Sequence, residues 1–372
     1  MKKVLFVKQE LLPKGGLEKY SSRLISAFVA QNCDVHILTG TKNTPPILGC
    51  TIEHVPLQSK SNAHKLLEWD AKTSLHAQKH PADLIFSLDR ITCATHARAG
   101  NGVHAAFLEK KSRSFMQKLR SYFNWSNTPI LRLERDLFTG AHLKKIFTNS
   151  FMVKHEIEKF YHIPSSKISV HHNGVEWKEM HHAFTHWETT QMAMKKTFGI
   201  QEGIPVFLFA GHHYKRKGLS YILKAFSKIQ DAHLIVAGTD RRQKFYENQA
   251  ERFGLKGRVS FIGASNSMDK LYALSDILVV PSLYDPFANV TIEALSMGLF
   301  VVSSPFNGGK EILYPSTGVV IEDLFDPLIV QNALELALKR PKTVSSAQKI
   351  RDTYASFDFS LKLPLLIQEC LA

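Results

Sequence analysis

Residues 204–239 read "IPVFLFAGHHYKRKGLSYILKAFSKIQDAHLIVAGT", and their pattern decides the fold. An almost wholly apolar strand runs into a glycine loop, an amphipathic helix follows, and a second apolar strand closes the unit. Leu219, Ile222, Leu223, Phe226 and Ile229 recur at helical spacing and give the helix one apolar face. Residues 2–40, "KKVLFVKQELLPKGGLEKYSSRLISAFVAQNCDVHILTG", repeat the plan with Leu17, Tyr20, Leu24, Ile25 and Phe28 on the helix face. Short strands that are apolar on both faces, alternating with helices, indicate parallel sheets covered on each side. Each segment therefore opens its own doubly wound α/β domain.

Working outward, "DVHILT", "DLIFSL" and "KIFTNS" supply strands to the first half, and "VSFI", "ILVV", "LFVV" and "GVVI" supply them to the second. The pattern breaks near "HHNGVEW", which places a boundary at residues 172 and 173. Residues 1–172 form one Rossmann-like domain and 173–350 another, and 351–372 form a tail helix packing back towards the first. In such folds ligands meet the carboxyl ends of the strands, so a cleft between two facing sheets is the expected site.

The chain has 372 residues, enough for two buried cores. Basic residues exceed acidic ones by 14, which favours anionic partners: nucleic acid, phosphorylated ligands or an anionic membrane face. Cys33, Cys50, Cys93 and Cys370 are widely spaced and suggest neither a disulfide framework nor a zinc site, so a reducing compartment fits. Only four apolar residues stand between Lys3 and Lys8, which reads as a first strand and not a secretory leader. No uncharged apolar run is long enough to span a bilayer. A cytoplasmic location is expected, with contact at the cytoplasmic face of an inner membrane in view.

Three stretches carry chemistry. Gly15 and Gly16 lie between strand and helix, where glycine admits close backbone approach and N–H groups face an anion; a plain turn is the alternative. "GHHYKRKG" at 211–218 puts Lys215, Arg216 and Lys217 at a helix start, where the dipole disfavours cations unless an anion sits there. A solvated basic loop is the rival reading, and the Walker pattern is absent. "DPFANVTIEALSMG" at 285–298 follows a buried strand, and a helix beginning near Ala288 offers the amides of Asn289 and Val290 as a second anion cradle. Glu293 then sits further along the helix, placed to accept hydrogen bonds from hydroxyls, and Asp285 hangs from the loop on the other side of the anion. An ordinary surface helix is the alternative for this stretch.

"SLYDPFANVTIEALSMGLFVVSS" and the following "GGKEIL" resemble the signature of family-four (group 1) retaining glycosyltransferases of GT-B fold, two Rossmann-like domains facing across a cleft. The family's Glu-x7-Glu is here Asp285-x7-Glu293, a departure of one methylene at the first position. Within the family, the chain is most similar to the lipopolysaccharide core glucosyltransferase I branch.

The resemblance implies an acceptor-binding first domain and a nucleotide-sugar-binding second one. It makes Glu293 the holder of the donor ribose, with Gly211 and Ile262 in the donor-binding set. Arg216, Lys217 and the amides of Asn289 and Val290 would hold a pyrophosphate, and Asp285 would touch the donor sugar. Gly15 and Gly16 would let their loop close over the phosphate, and His104 would stand beside the reacting sugar. Many relatives carry Arg where this chain has His212.

The implied reaction moves a hexose, glucose from UDP-glucose, onto a lipopolysaccharide heptose with retention and without cofactor or metal. A different UDP- or GDP-sugar and another glycolipid or polysaccharide acceptor is the alternative. Nucleic-acid binding, prompted by charge alone, explains neither the cations at 215–217 nor "DPFANVTIE", so no nucleic-acid partner is expected.

Residues 110–125, "KKSRSFMQKLRSYFNW", are basic with an aromatic stripe, a pattern that binds anionic lipid; a core-packed helix with a solvated face explains it equally well.

Overall fold

The computed structural model describes residues 1–11, 16–111, 124 and 126–372. Gly15 and nearly all of the basic stretch 110–125 lie outside the described residues. The chain divides into two compact units, Met1–His172 with Ser360–Ala372, and Asn173–Phe359.

Among the described residues the first unit is built on seven strands: β1 Lys3–Val7, β2 Asp34–Thr39, β3 Cys50–His54, β4 Leu84–Ser87, β5 His96–Arg98, β6 Lys145–Thr148 and β7 Ile168–Val170. They pair in the order β3-β2-β1-β4-β5-β6-β7, and every pairing is parallel. Parallel strands need crossovers, and the helices Gly16–Ala30, Asn62–Lys79 and Phe151–Tyr161 provide them. In the first of these Tyr20, Leu24, Ile25 and Phe28 are buried, so the 3.6-residue spacing faces the sheet.

The second unit has six parallel strands: β8 Val206–Ala210, β9 His233–Ala237, β10 Val259–Gly263, β11 Ile277–Val280, β12 Phe300–Ser303 and β13 Gly318–Val320, in the order β10-β9-β8-β11-β12-β13. Alternation along β8 splits the core. Val206, Leu208 and Ala210 pack on one face with Trp187, Tyr272 and Leu295. Phe207 and Phe209 pack on the other with Leu219, Leu223 and Phe226. Strand order reverses beside β8, between it and β11, so the loops after these two strands meet at the switch point.

Both units are Rossmann-like, but the tail starts later than the sequence suggests. Residues 351–359 remain with the second unit. Arg351 lies 4.2 Å over the Trp177 ring and donates to the carbonyl oxygens of Trp177 and Ser296, and Tyr354 donates to the Ile312 carbonyl at 2.6 Å. The closing helix Phe359–Leu371 then joins the first unit through Glu369, which accepts from Ser169, from His171 Nε2 at 2.8 Å and from Lys145 at 2.9 Å.

Candidate active site

The loop after β8 is shaped by backbone conformations that favour glycine. Gly211 has φ +155°, and the Lys217 side chain runs against it, so that a Cβ there would meet Lys217 Cε at 3.1 Å. His213 adopts φ 61° and starts a one-turn helix, Tyr214–Lys217. Buried Tyr214 anchors the turn: its hydroxyl donates to the Gly238 carbonyl at 2.7 Å and its amide to Asp240 Oδ2 at 2.8 Å. Gly218, at φ 76°, closes the turn and opens the next helix, Leu219–Phe226. The sequence reading placed the cations where the loop leads straight into a helix, and the structure adds a separate turn there. Lys215, Arg216 and Lys217 lie in a separate one-turn helix that ends at Gly218, immediately before the helix Leu219–Phe226 begins.

Lys217 and Asp285 form the centre of this arrangement. Lys217 Nζ donates to Asp285 Oδ2 at 2.6 Å, and Arg216 Nη1 lies 3.6 Å from the same oxygen while donating to the Tyr284 carbonyl at 3.1 Å. The Lys217 and Asp285 side chains are only 14% and 10% exposed, so little water screens the pair. The backbone of Asp285 is fixed on both sides: its amide donates to the Phe306 carbonyl at 3.0 Å, and its own carbonyl accepts from Gly308 at 2.9 Å. The sequence reading set Asp285 across the helix-start anion from Glu293 and did not foresee its pairing with Lys217.

The helix Asn289–Ser296 starts immediately after this loop. Ala288 at its N-cap has no side-chain acceptor, so the first-turn amides of Asn289 and Val290 have no partner inside the helix. Asn289 Oδ1 accepts from Asn173 Nδ2 at 2.6 Å. Fully buried Asn307 braces the start of the helix, accepting from the Ala288 amide at 3.1 Å and the Gly309 amide at 3.0 Å. Glu293, one turn further along, is half-buried, and its Oε2 accepts from the Tyr272 hydroxyl at 2.6 Å. Burial, reinforced by the Glu293 charge, pushes the Tyr272 pKa well above the ordinary phenol value, so Tyr272 stays a donor. Ile262, near the end of β10, packs against the core, and His212 Nδ1 lies 2.9 Å from Thr239 Oγ1.

The remaining site residues belong to the first unit. Gly16 begins the helix that follows β1. His104 begins the helix His104–Lys111, and its Nε2 lies 3.2 Å from Asn127 Oδ1. Glu134, fully buried, holds that helix start: its carboxylate accepts from the His104 amide at 2.9 Å, the Tyr161 hydroxyl at 2.6 Å and Arg90 Nε at 2.7 Å. The sequence reading missed Glu134 because "LRLERDLF" reads as an ordinary amphipathic helix. It also missed Tyr272 and Asn307, whose roles depend on contacts 21 and 19 residues away in the chain.

Comparison with known proteins agrees with this architecture. The description "Glycosyltransferase Family 4" matches residues 14–178, and "Glycosyl transferases group 1" matches residues 191–352. The chain belongs to the group 1 glycosyltransferases of GT-B fold. The lipopolysaccharide glucosyltransferase WaaG of Escherichia coli is 23% identical over 368 residues, which span 97% of this chain and 96% of that protein. The crystal structure of WaaG superposes with a TM-score of 0.80 at 22% identity, covering 98% of each chain. An uncharacterized glycosyltransferase of Methanocaldococcus jannaschii is 30% identical over 174 residues, which make up 45% of this chain and 44% of that protein.

Proposed function

We propose that the enzyme transfers glucose from UDP-glucose to a heptose of a lipopolysaccharide core acceptor, with retention at the anomeric carbon and without a metal at the diphosphate. The observation that supports this most directly is the Lys217–Asp285–Arg216 cluster beside the start of the helix that carries Glu293. In this reading Arg216, Lys217 and the amides of Asn289 and Val290 hold the donor diphosphate, and Glu293, oriented by Tyr272, binds the ribose hydroxyls. Gly211 and Ile262 border the base, while Asp285 orients Lys217 and reaches the donor sugar.

Transfer breaks the bond between the sugar's C1 and the phosphate oxygen, and the electron pair leaves with the diphosphate. The acceptor oxygen bonds to C1 and its proton passes to the departing phosphate. Fixed cations and helix amides stabilise the charge as it develops, which is electrostatic preorganisation. His104, at a helix start braced by Glu134, is the polar group assigned to the reacting sugar. The similarity to WaaG over nearly the whole chain supports the acceptor class, and an acceptor embedded in a membrane fits an enzyme peripheral to its cytoplasmic face. Among the described residues no helix is long and apolar enough to cross a membrane.

Calorimetric titration with UDP, GDP, ADP and their common sugars, with and without EDTA, tests the donor. Tight binding of UDP-glucose in both conditions is the expected result. Preference for another nucleotide-sugar overturns the glucose assignment, and binding that needs added Mg²⁺ overturns metal independence. Proton NMR of the product reads the anomeric configuration.

A further inference from the structure

A second cluster lies in the first unit, on the edge of the sheet opposite β7. β2 and β3 pair in parallel with His36 aligned to Thr51, so Glu53, two residues further on, projects from the same face as His36. Across that face lies the helix Asn62–Lys79, which buries Trp69 and Thr73, and His76 follows them one turn later on the same side. The three side chains converge. His36 Nε2 lies 3.4 Å from Glu53 Oε2, and His76 Nδ1 lies 3.3 Å from Glu53 Oε1. One ligand atom from each residue can be chosen so that all three lie within 4.8 Å of one another.

Hydrogen bonding leaves this group incomplete. His36 Nε2, the nitrogen that faces Glu53, is buried and makes no hydrogen bond of normal geometry; His76 Nε2 is buried and unpartnered too, although it is the other nitrogen of that ring that faces Glu53. A buried imidazole nitrogen without a partner is costly, and most such atoms are satisfied. The spacing matches a different partner. A tetrahedral ion with bonds of about 2.0–2.1 Å sets its ligands about 3.3–3.4 Å apart, and each imidazole stands at that separation from one carboxylate oxygen, His36 from Oε2 and His76 from Oε1.

We propose that His36, Glu53 and His76 form a site for a divalent transition metal of the zinc type. Two imidazoles and one carboxylate suit Zn²⁺, with water in the fourth position, and do not suit Mg²⁺ or Ca²⁺, which select oxygen ligands. The ion ties together two strands and a helix at the sheet edge, where β3, the polar segment "CTIEH", pairs among the described residues with β2 alone. It is independent of the donor-binding residues, all of which apart from Gly15 and Gly16 belong to the second unit.

The test uses the full-length, untagged protein stripped with a chelator and then dialysed free of it. Zn²⁺ titration by calorimetry should show one tight equivalent, and a matching rise in melting temperature should follow by mass action. Co²⁺ should give the intense visible bands of a tetrahedral site, and Mg²⁺ should have no effect. Glu53→Gln should weaken Zn²⁺ by at least about tenfold, and the double change His36→Gln with His76→Gln should abolish the tight equivalent. A control with His181→Gln and His182→Gln should keep it.

Absence of a tight equivalent in the parent protein overturns the proposal, as does its survival in the double variant. If the double variant does not fold, Glu53→Gln, altered at a half-exposed carboxylate, decides: an unchanged Co²⁺ spectrum and Zn²⁺ affinity refute the site.

Discussion

At 2.6 Å, Lys217 and Asp285 form a charge-assisted hydrogen bond where both are largely withdrawn from water. A diphosphate that arrived here would share Lys217 with Asp285, so the lysine stays aimed whether or not substrate is bound. Lys217→Ala should therefore lower kcat/KM by at least about 100-fold, as loss of a transition-state charge partner does elsewhere. Steady-state kinetics that found near-normal turnover would remove Lys217 from the mechanism. On the proposed reading Glu293 should behave differently, because ribose hydroxyls held there would be bound equally in ground and transition states. Tyr272→Phe removes the hydrogen bond that aims Glu293, worth about 1.5–3 kcal/mol when one partner is charged. It should raise the donor KM roughly tenfold with kcat little changed. A fall in kcat with KM unchanged would argue against ribose binding at Glu293.

Among the elements, the short helix Tyr214–Lys217 depends on Gly218. That residue sits at φ 76°, and a Cβ there would overlap the Pro281 carbonyl oxygen. Gly203 has a similar φ of 84° but meets nothing within 4 Å. Gly203→Ala should cost only the backbone strain, about 1–2 kcal/mol. Gly218→Ala adds a clash with main chain and should cost roughly 3 kcal/mol or more, read as the difference between urea midpoints of the two variants. Equal losses would mean that the loop yields freely. The same scale separates what periodicity could reveal from what it could not. β8, β9, β11 and β12 are buried apolar runs and declare themselves, and so do β1, β2 and β4. β3 is "CTIEH", β5 is "HAR" and β7 is "ISV", too short or too polar to register, although each pairs in the sheet. Arg216 and Lys217 stood out as cations at a helix start, and Asp285 and Glu293 through the resemblance of their stretch to a known signature. Their contacts did not: Lys217 and Asp285 are 68 residues apart, and nothing local foretells that they pair. His36, Glu53 and His76 carried no spacing signal, because strand register and helix phase together bring them to one place.

For the molecule as a whole, the notable feature is that the chain leaves the first unit at residue 172 and returns to it at residue 360. The returning helix buries Leu363, Leu366, Ile367 and Cys370, and Glu369 ties it to β7 and β6. Burial works to raise the pKa of Glu369, but hydrogen bonds from Ser169, His171 and Lys145 outweigh it and bring the value down to about 2. An unfolded glutamate titrates near 4.5. The folded state thus binds its proton less readily, so the stabilisation from this carboxylate is fully present above about pH 4.5 and disappears as pH falls towards 2. Glu369→Gln removes the charge at every pH. The variant should be less stable than the parent at neutral pH and converge with it in acid. Hydrogen exchange should locate the effect, with faster exchange at Phe359–Leu371 and Ile168–Val170 and unchanged protection in β8, β9 and β11. A loss that persists unchanged at pH 2, or that spreads evenly through the second sheet, would show that the carboxylate is not what fastens the tail helix to the first unit.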